Sequence, residues 1–238
     1  MRNKPDYPLR SVDNALTLIR LLRERGPLRL TDAAEALGSS RSTAHRLLAM
    51  LEYHGFARQD PETRAYAAGD GAVDLRAAAR PALERLGAEL GETVHLAVLR
   101  GAEIEFLDSV ETTQGLRIGS RVGIRMPAHC TAAGKAILAG LDPAELSRRY
   151  PGGRLERMTP RSLKSLKGLE EELRAVRERG YATNFAESEA DIAAVAVAIP
   201  GQDASITVSA PLTRLPETRA SAISRAATRA AAGVLVQR

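Results

Sequence analysis

The sequence contains few of the residues that mark secreted or membrane proteins. Its 238 residues include no tryptophan and a single cysteine, Cys130, which excludes an intramolecular disulfide and fits a reducing compartment. No stretch approaches the roughly 18 consecutive apolar residues of a membrane-spanning helix. The first ten residues, MRNKPDYPLR, have no apolar core of the kind found in signal peptides. We therefore expect a cytoplasmic protein with no membrane partner.

Residues that would indicate an enzyme or a metal protein are also scarce. The histidines show no metal-ligand spacing such as HExxH. His129 and Cys130 are adjacent, but neighbours on a strand point to opposite faces, so we favour a buried, inert cysteine over a catalytic pair. We interpret Glu187, Glu189 and Asp191 as solvated loop residues. The sequence thus predicts no enzyme activity, no catalytic residue, no metal and no cofactor.

What the chain does have is length and positive charge. It is long enough for one large domain or two ordinary domains, each with a core of its own. Its formal net charge of +5 favours a polyanionic partner, although basic composition by itself is weak evidence for nucleic-acid binding.

Residues 27–68 follow the order of a winged helix-turn-helix, which places one helix in the DNA major groove. A first helix, capped by Ser11, precedes them, and a short helix covers 31–37. A third helix covers about 41–54, with Ser39 or Ser40 as its cap. Two short strands on either side of Pro61 then form a hairpin, the wing. We assign residues 1–70 to a DNA-binding domain.

The third helix has the two faces that a DNA-reading helix needs. Ala44, Leu48 and neighbouring leucines form its apolar face, and Ser42 and Arg46 lie opposite. The side chains of Ser42, His45 and Arg46 could meet base edges, while the remaining arginines and the helix N-terminus could meet phosphates. The candidate DNA contacts are Ser40, Arg41, Ser42, His45, Arg46, Arg58 and Arg64. The alternative is an ordinary helical hairpin with a solvated charged face, and spacing alone does not decide between them.

The remainder of the chain mixes strands and helices. We predict an amphipathic linker helix over 71–90, a hairpin of strands 93–100 and 103–110, and continuation of the sheet through LRIGS. Further predicted elements are helices at 131–141 and 162–179, strands at 191–199 and 205–210, and a C-terminal helix whose first residue is Pro216. The fold class is therefore α+β with two domains, the second covering 91–238.

Several motifs together resemble the IclR family of transcriptional regulators. The stretch from SVDNALTLIRLL to LEYHGFARQD, with its SRSTAHRLL helix, is similar to the family's DNA-binding domain. GETVHLAVL, LRIGSRVGIRMPAHCTAAGKAILA, RGYA and ITVSAP resemble its effector-binding domain, in the same order. The resemblance implies a GAF-like effector-binding and oligomerisation domain after the linker helix. In this chain the segment between wing and linker helix is shorter than is usual in the family, which leaves the dimer geometry open.

The resemblance also implies a pocket for a small organic acid. Unpaired amides at the start of the helix after Thr131 suit a carboxylate, and Thr207 and Ser209 alternate on one strand, so both hydroxyls face the same side. The predicted ligand-binding residues are Met126, Cys130, Ala132, Ala133, Asn184, Val195, Thr207 and Ser209. The alternative is that the small residues only let a helix pack closely on the sheet. The chain has Asn184 where many relatives have an acidic residue, and Ala194 where many have cysteine, so the ligand cannot be copied from a relative.

These observations predict a sequence-specific regulator that binds a double-stranded DNA operator as a homodimer or tetramer. A small carboxylate effector in the second domain would modulate that binding. The rival interpretation is a constitutive architectural DNA-binding protein, which would not need a second domain of this size.

Overall fold

A computed structural model describes residues 9–61, 63–69 and 75–234 of the chain. Its contacts divide the chain into two compact units that meet in sequence between Leu75 and Arg76. Within the described ranges, no helix is both long enough and apolar enough to cross a membrane. The predicted α+β class with two domains is confirmed.

The N-terminal unit contains three helices and a hairpin. These are α1 (Arg10–Arg25), α2 (Leu30–Ala36), α3 (Arg41–Tyr53), β1 (Ala57–Gln59) and β2 (Tyr66–Ala68). Its core consists of apolar side chains from all of them, among them Leu18, Leu22, Ala33, Ala44, Leu48 and Tyr66. The predicted cap of the first helix is wrong: Leu9 is the N-cap residue and no side chain caps the helix, because α1 begins one residue before Ser11.

The hairpin is the predicted wing. β1 and β2 pair antiparallel, with Ala57 opposite Ala68 and Gln59 opposite Tyr66. Leu28 adds a bridge to Tyr66, with both backbone hydrogen bonds at 2.8 Å. The wing is therefore attached to the segment between α1 and α2 as well as to its own turn.

The C-terminal unit is a six-stranded antiparallel sheet with helices. In chain order its elements are α4 (Leu75–Leu90), β3 (Thr93–Arg100), β4 (Glu103–Val110), β5 (Arg125–Pro127), α5 (Ala132–Leu138), α6 (Pro143–Arg149), α7 (Leu166–Arg179), β6 (Ala182–Phe185), β7 (Ile192–Ala198), β8 (Ala204–Pro211) and α8 (Ala220–Ala232). The strand order across the sheet is β5-β4-β3-β8-β7-β6. Residues 71–74 of the predicted linker helix lie outside the described residues.

Helices cover both faces of this sheet. One face packs on α5 and α7 through side chains such as Ala194 and Ala196. On the other face, Arg80 of α4 pairs with Asp108 of β4, and Arg229 of α8 pairs with Glu89 of α4 at 2.8 Å. Burial on both faces explains why β3 and β8 are almost continuously buried instead of alternating.

Three short elements were missed and two predictions were wrong. LRIGS does not continue the sheet, because its backbone bonds to side chains: the Thr93 hydroxyl donates to the Ile118 carbonyl at 2.6 Å. β5 and β6 are too short to show a period. α6 had a readable signal, since Asp142 caps it and Pro143 follows at the first helical position. Pro216 precedes a 3₁₀ turn, and α8 begins only at Ala220.

Candidate functional site

Helix α3 presents the predicted DNA-reading side chains to solvent. Ala44, Leu48 and Leu51 are buried against the rest of the N-terminal unit. Ser42 and Arg46 are exposed on the face away from that core. Every other predicted DNA contact on this helix, namely Ser40, Arg41 and His45, is exposed as well. The buried face thus fixes the helix while the polar face remains available to a partner.

The start of α3 is held by a local network of hydroxyls. Ser40 is the N-cap, as predicted, and its hydroxyl accepts a hydrogen bond from the Thr43 amide at 3.2 Å. The same hydroxyl lies 2.9 Å from the Ser42 hydroxyl and 3.0 Å from that of Thr43. This network fixes the first turn, where the side chains of Arg41 and Ser42 begin.

The wing carries the other two predicted DNA contacts. Arg58 lies on β1 and Arg64 in the turn before β2, and both side chains are exposed. Arg64 has a left-handed backbone, with φ of 57°, which is uncommon for a residue other than glycine. The preceding turn supports it, because Asp60 Oδ1 accepts hydrogen bonds from the Thr63 amide at 2.7 Å and hydroxyl at 2.9 Å. The wing-tip cation is therefore held by a defined turn.

The C-terminal unit contains a cavity on the face of the sheet that α5 covers. It is a small, open pocket, and the space among its lining atoms reaches about 320 Å³ only when the solvent at its mouth is included. Its lining comes from both ends of the sheet, from the start of α5 and from the segment between β4 and β5. The lining residues are Phe106, Arg121, Met126, Thr131, Ala132, Ala133, Asn184, Ser188, Ile192, Ala194, Thr207 and Ser209.

Six of the eight residues predicted to bind a ligand line this cavity; they are Met126, Ala132, Ala133, Asn184, Thr207 and Ser209. Val195 does not, because it pairs with Val208 and therefore lies on the opposite face from Ala194 and Ser209, which pair with each other. Cys130 is buried but is not part of the lining either. For the six residues that line the cavity, a role in ligand binding remains a prediction. Val195 and Cys130 have no surface in the cavity.

Cys130 and His129 belong to a 3₁₀ turn, Ala128–Cys130, instead of the strand that we assumed. Both side chains reach the same backbone carbonyl: His129 Nε2 donates to Glu156 O at 2.7 Å, and Cys130 Sγ lies 3.7 Å from it. Burial raises the pKa of the Cys130 thiol, which disfavours the reactive thiolate. The geometry agrees with an inert cysteine, although the reason we gave from strand alternation was wrong.

Asn184 has a structural role in the cavity wall. Its amide nitrogen donates to Cys130 O at 3.1 Å and to the Ser188 hydroxyl at 2.7 Å, and its oxygen accepts from the Glu187 amide at 2.8 Å. Both of its N–H groups therefore have partners within the protein. Asn184 shapes the loop between β6 and β7, and other side chains are better placed to donate to a ligand.

Three buried polar strand side chains on this face of the sheet have no hydrogen-bond partner among the described residues: Thr207, His95 and Ser205. Thr207, which is 3% exposed, lines the cavity with its hydroxyl unpaired. His95 lies directly across from Thr207 on β3, with its ring 5.2 Å from that of Phe106 and both nitrogens unpaired. Burial and the charge of Arg121 lower the pKa of His95 to about 3, so its ring is neutral at ordinary pH. Such groups are expected where a ligand or water completes the site.

The cavity lining includes the charged side chain of Arg121, which the sequence analysis did not predict as a site residue. Its Nη1 lies 2.6 Å from Glu189 Oε1 and 3.4 Å from Met126 Sδ. Our interpretation of the acidic loop residues as solvated was wrong for Glu187, which pairs with the buried Lys135 at 2.7 Å. Glu189 is half-exposed, as that interpretation expects, but it also pairs with Arg121. The sequence shows both acidic residues, but their cationic partners lie more than 50 positions away along the chain. No local pattern indicates such pairs.

No cluster of three or more histidine, cysteine or acidic side chains suited to a metal ion occurs in residues 9–61, 63–69 and 75–234. The titratable groups near the cavity are tied to specific partners: Arg121 to Glu189, and Lys135 to Glu187 and Glu172.

Two protein-family models match the chain, and together they cover most of it. Residues 11–61 match the IclR helix-turn-helix domain. Residues 71–235 match the C-terminal domain of the bacterial transcriptional regulator IclR.

Individual relatives agree with these matches. The HTH-type transcriptional regulator XynR of Escherichia coli is 33% identical over 218 residues, which cover 87% of this chain and 86% of XynR. The crystal structure of the Thermotoga maritima IclR superposes with a TM-score of 0.63 at 26% identity, covering 94% of this chain and 96% of that one. An IclR homologue of Microbacterium hydrocarbonoxydans in complex with 4-hydroxybenzoate has the same fold, with a TM-score of 0.59 at 23% identity and coverage of 94% and 96%.

Proposed function

Since the chain belongs to the IclR family of bacterial transcriptional regulators, we propose that it binds one operator sequence specifically and that a small organic acid modulates this binding. Its relatives are transcriptional regulators and not enzymes, and the chain is a regulator of the same kind. The observation that carries the proposal is the exposed polar face of α3 next to a wing with two exposed arginines.

The DNA-binding part of the proposal assigns different tasks to different side chains. Ser42, His45 and Arg46 would contact base edges in the major groove, where an arginine can bind guanine through two hydrogen bonds. Ser40, Arg41, Arg58 and Arg64 would contact phosphates, which fix the position of the protein on the duplex without reading its sequence. This division fits the structure of α3. Ser42 and Arg46 lie one turn apart on the solvated face, and the capped first turn holds Ser40 and Arg41 at the helix N-terminus.

Regulators of this architecture bind DNA as symmetric assemblies, so we also propose a homodimer or a dimer of dimers on a partly palindromic operator. Two recognition helices would then occupy major grooves about 34 Å apart. The domain boundaries that we propose are 1–70 for DNA binding, 71–90 for the linker helix and 91–238 for effector binding and oligomerisation. Access to the chromosome requires a cytoplasmic location.

The effector part rests on the cavity in the C-terminal unit. It combines an arginine, an unpaired buried threonine hydroxyl and apolar walls, which is the composition of a small-molecule site. The Microbacterium relative binds 4-hydroxybenzoate, an organic acid, and this supports the ligand class for the present chain. A difference in effector affinity between DNA-bound and free protein of about 1–3 kcal/mol is enough for regulation.

Fluorescence anisotropy of the full chain on DNA from upstream of its own gene tests the proposal. Random competitor DNA and a salt titration belong to the experiment, because phosphate contacts make affinity salt-dependent. We expect saturable binding that survives competitor. Binding that competitor abolishes at every salt concentration would contradict an operator in that region, and absence of binding at low salt would contradict DNA binding altogether.

Arg46 provides the sharpest test of sequence reading. If it contacts a base, Arg46→Ala should weaken operator binding by about 1–3 kcal/mol while random DNA is affected less. Arg46→Lys is the matched control, because lysine keeps the charge but lacks the planar fork of arginine. Specificity lost in both variants indicates a base contact. Specificity kept in Arg46→Lys, with equal losses on both DNAs in Arg46→Ala, would reduce Arg46 to a phosphate contact.

A further inference from the structure

The cavity in the C-terminal unit has one charged group in its wall. Among the twelve lining residues of the described structure, only Arg121 carries a charge, and the rest are apolar, hydroxyl or amide side chains. Its side chain is 17% exposed, so the guanidinium is largely removed from solvent. A cation in this setting favours an anionic partner, because fewer water molecules compete for it.

The ion pair between Arg121 and Glu189 is weak enough for another anion to replace Glu189. Glu189 lies in the loop between β6 and β7, is not part of the cavity lining, and has a side chain that is 45% exposed. A half-exposed ion pair contributes little stability, since water solvates the carboxylate almost as well as the arginine does. The remainder of the loop has its own attachments, because Thr159 and Ser162 hydroxyls donate to Glu187 O at 3.2 and 2.7 Å. Glu189 can therefore move away without unfolding the loop.

The polar groups of the sheet at the cavity are neutral. Thr207 offers an unpaired hydroxyl, and His95, directly across the sheet from it, is neutral. A ligand placed between these groups and Arg121 would present one negative charge to the arginine and a neutral oxygen to the sheet. A second carboxylate would find no cation in the cavity wall and would lose its hydration without compensation.

We propose that Arg121 is the carboxylate anchor of the cavity, that Glu189 is its partner in the empty state, and that the effector is a monocarboxylate with a neutral polar group whose carboxylate replaces Glu189. This inference rests on the effector function proposed above and specifies its ligand class. The exchange substitutes one arginine–carboxylate pair for another, so charge is conserved in the cavity. The gain comes from a more enclosed, charge-assisted hydrogen bond.

The test measures ligand binding to the full chain by calorimetry, independently of DNA. The probes are glycolate and 4-hydroxybenzoate, their uncharged amides, the dicarboxylate malonate, and formate. The variants are Arg121→Gln and Glu189→Gln. Arg117→Gln is the matched control, because Arg117 lies in the same segment, pairs with Glu111 at 3.2 Å, and is not in the cavity lining. Thermal unfolding of each variant checks that it is folded.

We expect Arg121→Gln to weaken monocarboxylate binding by about tenfold or more, as loss of a charge-assisted hydrogen bond does. Glu189→Gln should strengthen it several-fold, because the internal competitor is gone. Amides should bind weakly to all variants, malonate more weakly than glycolate, and Arg117→Gln should match the wild type. Opposite changes in the two variants cannot come from general loss of structure.

Three results would overturn the proposal. They are equal monocarboxylate binding by the wild type and Arg121→Gln, equal binding by the wild type and Glu189→Gln, and failure of Glu189→Gln to bind any monocarboxylate, including formate, at millimolar concentration. The effector function fails separately: if monocarboxylates bind through Arg121 but leave operator affinity unchanged in the anisotropy assay, the anchor stands and the regulation does not.

Discussion

His95 should make the stability of the protein depend on pH. The unfolded chain takes up a proton on this side chain near its ordinary pKa of 6.5, whereas burial and Arg121 lower the folded pKa to about 3. Between these values the unfolded state holds more protons than the folded state. The stabilisation is therefore complete above pH 6.5 and is lost as the pH falls toward 3.

The size of the effect follows from the two pKa values. Each pH unit within this window lowers the free energy of unfolding by up to about 1.4 kcal/mol. At pH 5 the accumulated loss from this one group, relative to pH 8, is about 2 kcal/mol. That is a large part of the net stability of an ordinary domain.

Urea denaturation followed by far-UV circular dichroism at pH 8 and pH 5 measures this loss. His95→Gln cannot take up the proton, so its free energy of unfolding should fall by about 2 kcal/mol less than that of the wild type over the same interval. His45→Gln is the control, because His45 is exposed in the other unit and its replacement should keep the wild-type dependence. An identical pH dependence in His95→Gln and the wild type would refute the buried, neutral histidine.

Two further predictions concern α5, the helix whose first residues line the cavity. Gly134→Ala should destabilise the C-terminal unit by about 1–3 kcal/mol or more in a thermal-unfolding assay, because the added methyl group would overlap the backbone of Ala128. The control is Gly168→Ala, where the added methyl group meets only ordinary contacts in α7. This variant should be neutral or stabilising in the same assay. Lys135→Met should cost about 3–5 kcal/mol at pH 7 because it leaves the carboxylate of Glu187 buried without its partner.

The pH dependence of Lys135→Met and a double variant test whether Lys135 acts through its pairing with Glu187. Burial already raises the pKa of Glu187, and without Lys135 it would rise further, so the folded variant would bind more protons than its unfolded chain. Its deficit relative to the wild type should therefore shrink as the pH falls and grow as it rises. The double variant Lys135→Met, Glu187→Gln should recover part of the loss. A double variant no more stable than Lys135→Met would contradict the pairing of Lys135 with Glu187. If Gly168→Ala lost as much stability as Gly134→Ala, the close packing of Gly134 on Ala128 would be contradicted.

Local sequence patterns determined much of this protein. The apolar spacing of Ala44 and Leu48 and the capping serine Ser40 predicted α3 closely, because helix periodicity and caps depend on residues within a few positions of one another. The alternation of Thr207 and Ser209 predicted two hydroxyls on one side of a strand for the same reason. The family resemblance then joined these elements into a regulator with an effector domain.

Only the tertiary structure decided which side chains meet in the cavity. Val195 was assigned to it, but the register of β7 against β8 places this residue on the opposite face. Arg121 gave no local signal, because its partner Glu189 is distant in sequence and the two meet only when the loop after β6 folds back. His95 resembles any strand histidine until the sheet buries it across from Thr207. Periodicity and capping are short-range, whereas burial, charge pairing and cavity shape arise from contacts between distant segments, and the sequence by itself does not specify them in a readable form.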